Sequence, residues 1–356
     1  YAGSVTNTLT VNAKALTVTA NNTNKVYGNT ITFTGTQFTS VGLTNADAVT
    51  SVTLTSAGAV NTAGVGVYAI NATNAVGSGL GNYAISYVAG TLTVNAKALT
   101  VTANNTNKVY GNTIVFAGTE FTSVGLTNAD SVSSVTLTSA GAVNTAGVGG
   151  YAINATNAVG SGLGNYAISY VAGLLTVNAK ALTVTASNTN KVYGNTIVFA
   201  GTEFTSAGLT NSDSVSSVSL SSPGAVNTAG VGGYVINATN AVGSGLANYA
   251  ISYVTNTLTV NAAGLTVTAN STNKVYGSLR TFAGTEFTIT SGTLYNGNTL
   301  TNVTLASAGA AASATVGSYP ITPSLAQGNG LPNYVIGYVA GARPVNAAGL
   351  TVTATS

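Results

Sequence analysis

Residues Thr8–Ala20 read TLTVNAKALTVTA, and the same thirteen letters stand again at Thr91–Ala103. Leu174–Ala186 (LLTVNAKALTVTA) and Thr257–Ala269 (TLTVNAAGLTVTA) are near copies. Side chains of a β-strand return to one face at every second residue. In the copy at Thr91–Ala103, Leu92 and Val94 fall on even numbers, whereas Leu99 and Val101 fall on odd ones. A single regular strand cannot bury both pairs on one side, so the chain must kink, bulge or rotate at Asn95-Ala96-Lys97-Ala98. The stretch therefore reads as the closing strand of one unit, a splice, and the opening strand of the next. The splice lacks the Gly/Ser richness of a flexible linker, so the units are expected to be stiffly coupled through near-continuous strands.

The spacing supports units. The tyrosines of the four K-V-Y-G motifs, Tyr27, Tyr110, Tyr193 and Tyr276, step by 83 residues. The expected division is 1–13 as the end of a preceding repeat, then repeats at 14–96, 97–179, 180–262 and 263–347, with 348–356 starting a following repeat. Both ends cut through the pattern, which points to a longer parent array. Solenoid repeats run about 20–50 residues and lean on neighbours for a core. A unit of 83 residues is domain-sized and closes its own small core.

Within a unit, Thr, Val, Ile, Tyr and Phe alternate with period two between Gly, Asn and Ser breaks, the pattern of short strands. In the second unit Leu99, Val101 and Ala103 alternate with Thr, Val132, Val135 and Leu137 lie in a Ser/Thr-rich strand, and Tyr166, Ile168 and Tyr170 alternate with Ala167 and Ser169. Six or seven strands per unit are expected, with one helical turn near Thr127–Val132 and loops at Asn71–Gly81 and its equivalents. No segment sustains a helical period. The fold class is all-β: a tandem array of small β-sandwich domains, immunoglobulin-like or β-grasp-like. The Tyr and Phe of each unit, four Tyr and two Phe in each of the first three (Tyr27, Tyr68, Tyr83, Tyr87, Phe33 and Phe38 in the first) and five Tyr and two Phe in the fourth, are expected to fill its core, hydroxyls reaching backbone partners at the rim.

Composition narrows function. Charged residues are 4% of the chain, and nine Lys plus Arg against six Asp plus Glu leave a net charge of +3. That is too few cations for a phosphate-binding patch, so no nucleic-acid partner is expected. Cys, His, Met and Trp are absent. No disulfide framework or thiolate metal site follows, and the usual general base is missing. No stretch approaches the roughly 18 apolar residues of a membrane helix, so no membrane insertion is expected.

Candidate sites are sparse. Asp47, Asp130 and Asp213 recur in the first three units, and Glu120, Glu203 and Glu286 in the last three, with Gln37 in the first. Four near-copies of one active site, one without its Glu and one without its Asp, do not make an enzyme, and neither a cofactor nor a metal site is expected. The plain reading of each Asp is a turn or cap. Lys108, Glu120 and Asn165 stand in the order needed for a spontaneous Lys–Asn amide crosslink. The preferred reading is a surface Lys in a turn, a surface Glu and a turn Asn. Asn71, Asn154 and Asn237 sit in N-A-T triplets, which chance supplies readily in a Thr/Asn-rich chain.

Two stretches carry a resemblance. Lys25-Val26-Tyr27-Gly28, and the run Asn82-Tyr83-Ala84-Ile85-Ser86-Tyr87-Val88-Ala89-Gly90-Thr91-Leu92-Thr93-Val94, resemble the K-x-Y-G and N-Y-x-I-x-Y-x-x-G-x-L-x-V signatures of MBG/YDG-type repeats. Such repeats form tandem arrays in very large bacterial surface proteins, often beside filamentous-haemagglutinin-like regions. Asn29, Asn112, Asn195 and Ser278 stand where the family usually has Asp, and Arg343-Pro344 replaces the usual letters of the closing strand in the fourth unit. The resemblance implies a secreted adhesin or fibre stalk at the bacterial cell surface. The expected function is structural, a stalk or self-assembling filament segment, and the rival is a glycan- or protein-binding module with repeated weak sites. The expected partners are copies of the same chain, through neutral strand edges poor in charge and Pro, or a surface glycan or protein.

Overall fold

The structure is a computed structural model that describes residue 1 and residues 3–353. The chain divides into two compact units, Tyr1–Asn178 and Ala179–Ser356, with two repeats in each. Among the described residues each repeat has seven strands. In the first they are β1 (Lys14–Ala20), β2 (Thr23–Val26), β3 (Phe38–Val41), β4 (Ala48–Thr55), β5 (Gly66–Ser78), β6 (Tyr83–Val88) and β7 (Gly90–Asn95).

Two sheets face each other. The three-stranded sheet runs β3-β1-β6, with β1 antiparallel to β3 and parallel to β6. The four-stranded sheet runs β2-β7-β5-β4, with β2 and β7 parallel and the other pairs antiparallel. Strand β5 serves two partners: Gly66–Ile70 lie against β7, and Asn71–Ser78 against β4. The same order recurs in all four repeats.

The period-two pattern sets the core. Leu16, Val18 and Ala20 point inward from β1, and meet Val52 and Leu54 of β4, Ile70 and Ala72 of β5, Tyr83 of β6 and Leu92 of β7. Burying each Leu, Val or Ile contributes about 1.5–3 kcal/mol. The splice behaves as parity requires: β7 ends at Asn95, Ala96 alone intervenes, and the next strand, Lys97–Ala103, begins. Leu92 and Val94 before it are buried, as are Leu99 and Val101 after it.

Several expectations need correction. The turn at Thr127–Asp130 is not helical, because Asn128 and Ala129 both have positive φ (53° and 60°). Among the described residues the helical elements are three-residue 3-10 turns, such as Ala57–Ala59 and Leu80–Asn82, and none of them spans a sheet as a β-grasp helix would. Asn71–Ser78 is strand rather than loop, because the ladder with β4 satisfies its backbone. Lys108 is not a surface residue; it is buried, like Lys25, Lys191 and Lys274. The expected terminal segments 1–13 and 348–356 include Ala2 and residues 354–356, which lie outside the described residues. Residues 5–12 repeat the letters of 254–261, yet only the latter form a strand, Asn256–Asn261, flanked by partners on both sides.

The fourth repeat departs where Pro344 stands. Proline has no N–H to give a ladder. The strand beside it shrinks to Lys274–Val275, against four residues in the other repeats.

Candidate functional site

The signature K-V-Y-G builds a junction between the two repeats of each unit, from Tyr27 in the first and Tyr193 in the second. Val26–Asn29 is a turn closed by Asn29 N–H donating to Val26 O at 3.1 Å. Gly28, at φ +88°, takes the third position, which a type II turn reserves for glycine. Lys25 anchors the turn from below. Its ammonium is buried and donates to Asn29 O at 2.8 Å and to Val60 O. Burial lowers the pKa of Lys25, Lys108 and Lys191.

The turn presents Tyr27 to the next repeat. Tyr27 is 4% exposed, and it packs with the core of the second repeat rather than its own. Its ring meets Tyr166 edge-on, with centroids 5.5 Å apart and an interplanar angle of 80°. Its hydroxyl donates to Asp130 Oδ2 at 2.9 Å. Tyr166 donates to the same oxygen at 2.8 Å and accepts from Thr127 N–H at 2.9 Å. Burial, then the hydrogen bond to Asp130, pushes the Tyr166 pKa up to about 12.

Asp130 is held in place by its turn. Asp130 N–H donates to Thr127 O at 2.9 Å. With both central residues at positive φ, this is a type I′ turn. The carboxylate lies over Gly162, where a Cβ would come within 2.0 Å of Oδ1. Gly162, closing the Val159-Gly160-Ser161-Gly162 stretch, thus makes room for an aspartate.

Three more contacts complete the first unit's junction. Asn128 Nδ2 donates to Asn61 O at 2.9 Å, Asn61 Nδ2 to Asn128 Oδ1 at 3.2 Å, and Val65 N–H to Asn165 Oδ1 at 2.9 Å. Gly28 packs against Thr127, where a Cβ would lie 2.7 Å from the Thr methyl.

The second unit repeats the design with different letters. Tyr193 meets Tyr334 edge-on at 5.6 Å and Tyr295 at 6.3 Å. Asn298 stands where Asp130 stood, and its Nδ2 donates to the Tyr193 hydroxyl at 2.8 Å and the Tyr334 hydroxyl at 3.2 Å. Asn296 Nδ2 donates to Asn227 O, and Val231 N–H to Asn333 Oδ1, both at 2.9 Å.

The three residues read as crosslink candidates occupy separate contacts. Lys108 donates to Asn112 O at 2.8 Å and to Val143 O. Glu120 accepts from Ala117, Gly118 and Thr119 N–H at 2.9–3.1 Å, and these bonds, Ala117's first, hold its carboxyl below the usual 4.5. Asn165 accepts from Val65 across the junction. Sequence reading missed the junction role of Tyr27, Asp130 and Asn165. The available signal was that K-V-Y-G and T-N-A-D recur with the same 83-residue step.

A second recurring feature is a shallow polar trough over β2 and β7. In the first repeat Asn22, Asn24, Thr91, Thr93 and Asn95 line about 340 Å³. The troughs of the second and third repeats, again lined chiefly by Asn and Thr, enclose about 360 and 510 Å³. Among the described residues no group of His, Cys, Asp and Glu is placed to hold a metal, and no helix is long and apolar enough to cross a membrane.

Comparison with known proteins agrees with the repeat pattern. Residues 16–93, 99–176, 182–259 and 265–342 each match the MBG domain (YGX type). No curated protein matches the chain at a significant level. Among solved structures, Drosophila N-cadherin EC1-4 is 11% identical, with 80% of this chain and 83% of that one covered and a TM-score of 0.20. Domains 1–6 of the surface layer protein SbsC are 14% identical, covering 85% and 48%, with a TM-score of 0.19. The Bacillus anthracis TIE protein is 9% identical, covering 87% and 70%, also at 0.19. At TM-scores this low the likeness decides nothing about this chain.

Proposed function

The chain belongs to the MBG domain family of YGX type, four times over, and on that premise we propose that it is a structural, extracellular repeat segment of a bacterial surface adhesin stalk or self-assembling filament. One observation carries the reading. The K-V-Y-G tyrosine is spent on joining the two repeats of each unit: Tyr27 crosses to Asp130 and Tyr193 to Asn298. The work of such a chain is to transmit force and hold spacing, and it has no enzymatic activity. The absence of Cys and Met, which leaves little to oxidise reversibly, suits long exposure outside a cell. Electron microscopy of native material stripped from cells without refolding tests this. Thin rods or regular fibres support it; compact particles of unconnected domains would sink it.

A glycan-binding adhesive module is the second reading, favoured by the Asn/Thr troughs. Their uncharged donors and acceptors suit hydroxyl-rich ligands, and one trough per repeat allows weak sites to add through avidity. Glycan affinity that grows with repeat number supports this reading. Affinity unchanged between chains with two and four repeats removes it.

A further inference from the structure

The fourth repeat holds an anomaly in its core. Leu92, Leu175 and Leu258 are fully buried at one position of the closing strand, and Arg343 occupies that position in the fourth repeat, also at 0% exposure. Its Nε, Nη1 and Nη2 are all buried without a hydrogen-bond partner. Its guanidinium carbon lies 5.0 Å from the centre of the Phe282 ring. A ring face offsets only part of the cost of burying a cation, and buried charges are normally paired.

A second change accompanies the first. Ile31, Ile114 and Ile197 share a position that in the fourth repeat is Arg280, held by the same backbone bond, Arg280 N–H to Ala310 O at 3.0 Å. These are the chain's two arginines. Arg280 is exposed; burial first, and then the charge of Arg280, disfavours the charged form of Arg343. An apolar pair kept in three repeats has become two neighbouring cations in the fourth. The fourth repeat carries Lys274, Arg280 and Arg343 against the single acid Glu286. That carboxylate is already engaged with Ala283 and Gly284 N–H.

The corresponding corner of the second repeat is hollow. In the second repeat the loop equivalent to 278–286 borders a hollow of about 250 Å³, lined by Asn105, Ile114, Phe116 and Glu120 among others. The equivalent residues in the fourth repeat are Ser271, Arg280, Phe282 and Glu286. Residues 278–286 form no strand; Arg280 N–H to Ala310 O, Val303 N–H to Gly284 O and Asn270 N–H to Glu286 O hold the loop in place over Arg343.

We propose that the fourth repeat is an anion-binding repeat, in which Arg343 from below and Arg280 from the solvent side clamp one oxyanion group, a carboxylate, sulfate or phosphate, beneath the loop that carries Phe282. Planar guanidinium groups match the paired oxygens of such ligands. The site stands independently of whether the array acts as a stalk or as an adhesive.

The test is nitrogen-15 NMR of the full chain, whose two arginines give two Nε–H signals, assigned by the loss of one in Arg343→Leu. Sulfate, phosphate and acetate are titrated separately against chloride at matched ionic strength. At least one of the three is expected to move the Arg343 signal saturably, chloride to leave it in place, and Arg280→Ile to weaken the apparent affinity by about tenfold. The relative affinities of the three anions show which oxyanion the site takes. No saturable shift with any of them, an equal shift with chloride, or unchanged affinity in Arg280→Ile overturns the proposal. Glu286→Gln separates the remaining alternative. If it moves the Arg343 signal in anion-free buffer as far as the best anion does in the native chain, Arg343 is paired with Glu286 and the proposal fails; an unmoved signal supports it. Arg343→Leu restores the residue of the other repeats, so its fold is secure.

Discussion

The hydroxyl of Tyr27 lies 2.9 Å from Asp130 Oδ2, in the following repeat, and that of Tyr166 lies 2.8 Å from the same oxygen. One carboxylate thus receives a tyrosine from its own domain and one from its neighbour. Asp47, in the first repeat, accepts from Tyr83 of its own domain in the same way.

Tyr27→Phe removes the crossing hydroxyl and keeps the ring packing. Hydrogen bonds to charged groups contribute about 1.5–3 kcal/mol, so amide exchange at Thr127 and Asp130 is expected to speed up by about tenfold or more. Tyr276, the last of the series, is 49% exposed. Tyr276→Phe is expected to change exchange in the turn at 295–298 negligibly. Equal responses to the two substitutions would contradict the assignment.

Stability should fall at both ends of the pH scale, for different reasons. The Glu120 carboxyl is held below its usual 4.5 by N–H bonds, so its contribution is full above about 4.5 and is lost as pH falls through the folded value. In the first repeat Gln37 accepts from Thr34 and Gly35 N–H without a titrating group. Glu120→Gln should therefore flatten part of the acid limb. Tyr166 is raised from 10.0 to about 12. Its contribution is full below about 10 and is lost as pH rises through about 12. Tyr166→Phe should remove a component near 12 from the tyrosinate absorbance titration.

Ala129 sits at φ +60°, in the second central position of a type I′ turn. The equivalent in the fourth repeat is Gly297, at φ +72°. A left-handed alanine costs about 1–2 kcal/mol, of which glycine's larger unfolded-state entropy takes back about half. Ala129→Gly should stabilise the second repeat by about 0.5–1 kcal/mol in chemical denaturation. A loss of stability would show that the turn is not under strain.

Lys108, Glu120 and Asn165 spend their polar groups on separate partners. The intact mass of the purified chain should equal that of the bare sequence, with no loss of ammonia. A deficit of one ammonia per repeat would restore the crosslink.

Much of the fold was legible because the core positions obey period two. Leu16 and Val18, or Leu99 and Val101, announce their strands by alternation alone, and the parity break at Ala96 announces the splice. The Asn71–Ser78 stretch misled because its Asn and Gly letters suit loops, whereas the ladder with β4 decides the matter. Lys108 reads as a surface residue in the sequence, whereas two carbonyls surround its buried ammonium in the fold. The junction was hidden for a deeper reason. Near-identical repeats offer Tyr27 the same partner letters in its own unit and in the next, and only the folded chain shows that the partner is 103 residues away.

The junction of Tyr27 with Asp130 and Tyr166 holds the first and second repeats as one body. Because the chain has no cysteine, two can be introduced at the exposed positions Val41 and Val124 and spin-labelled without competition. Pulsed electron spin resonance then gives the distribution of distances between the first and second repeats. The account predicts a single narrow distance that broadens in a Tyr27→Ala, Asp130→Ala chain whose individual domains stay folded. A distribution already broad in the native chain, and unchanged by the two substitutions, would contradict it.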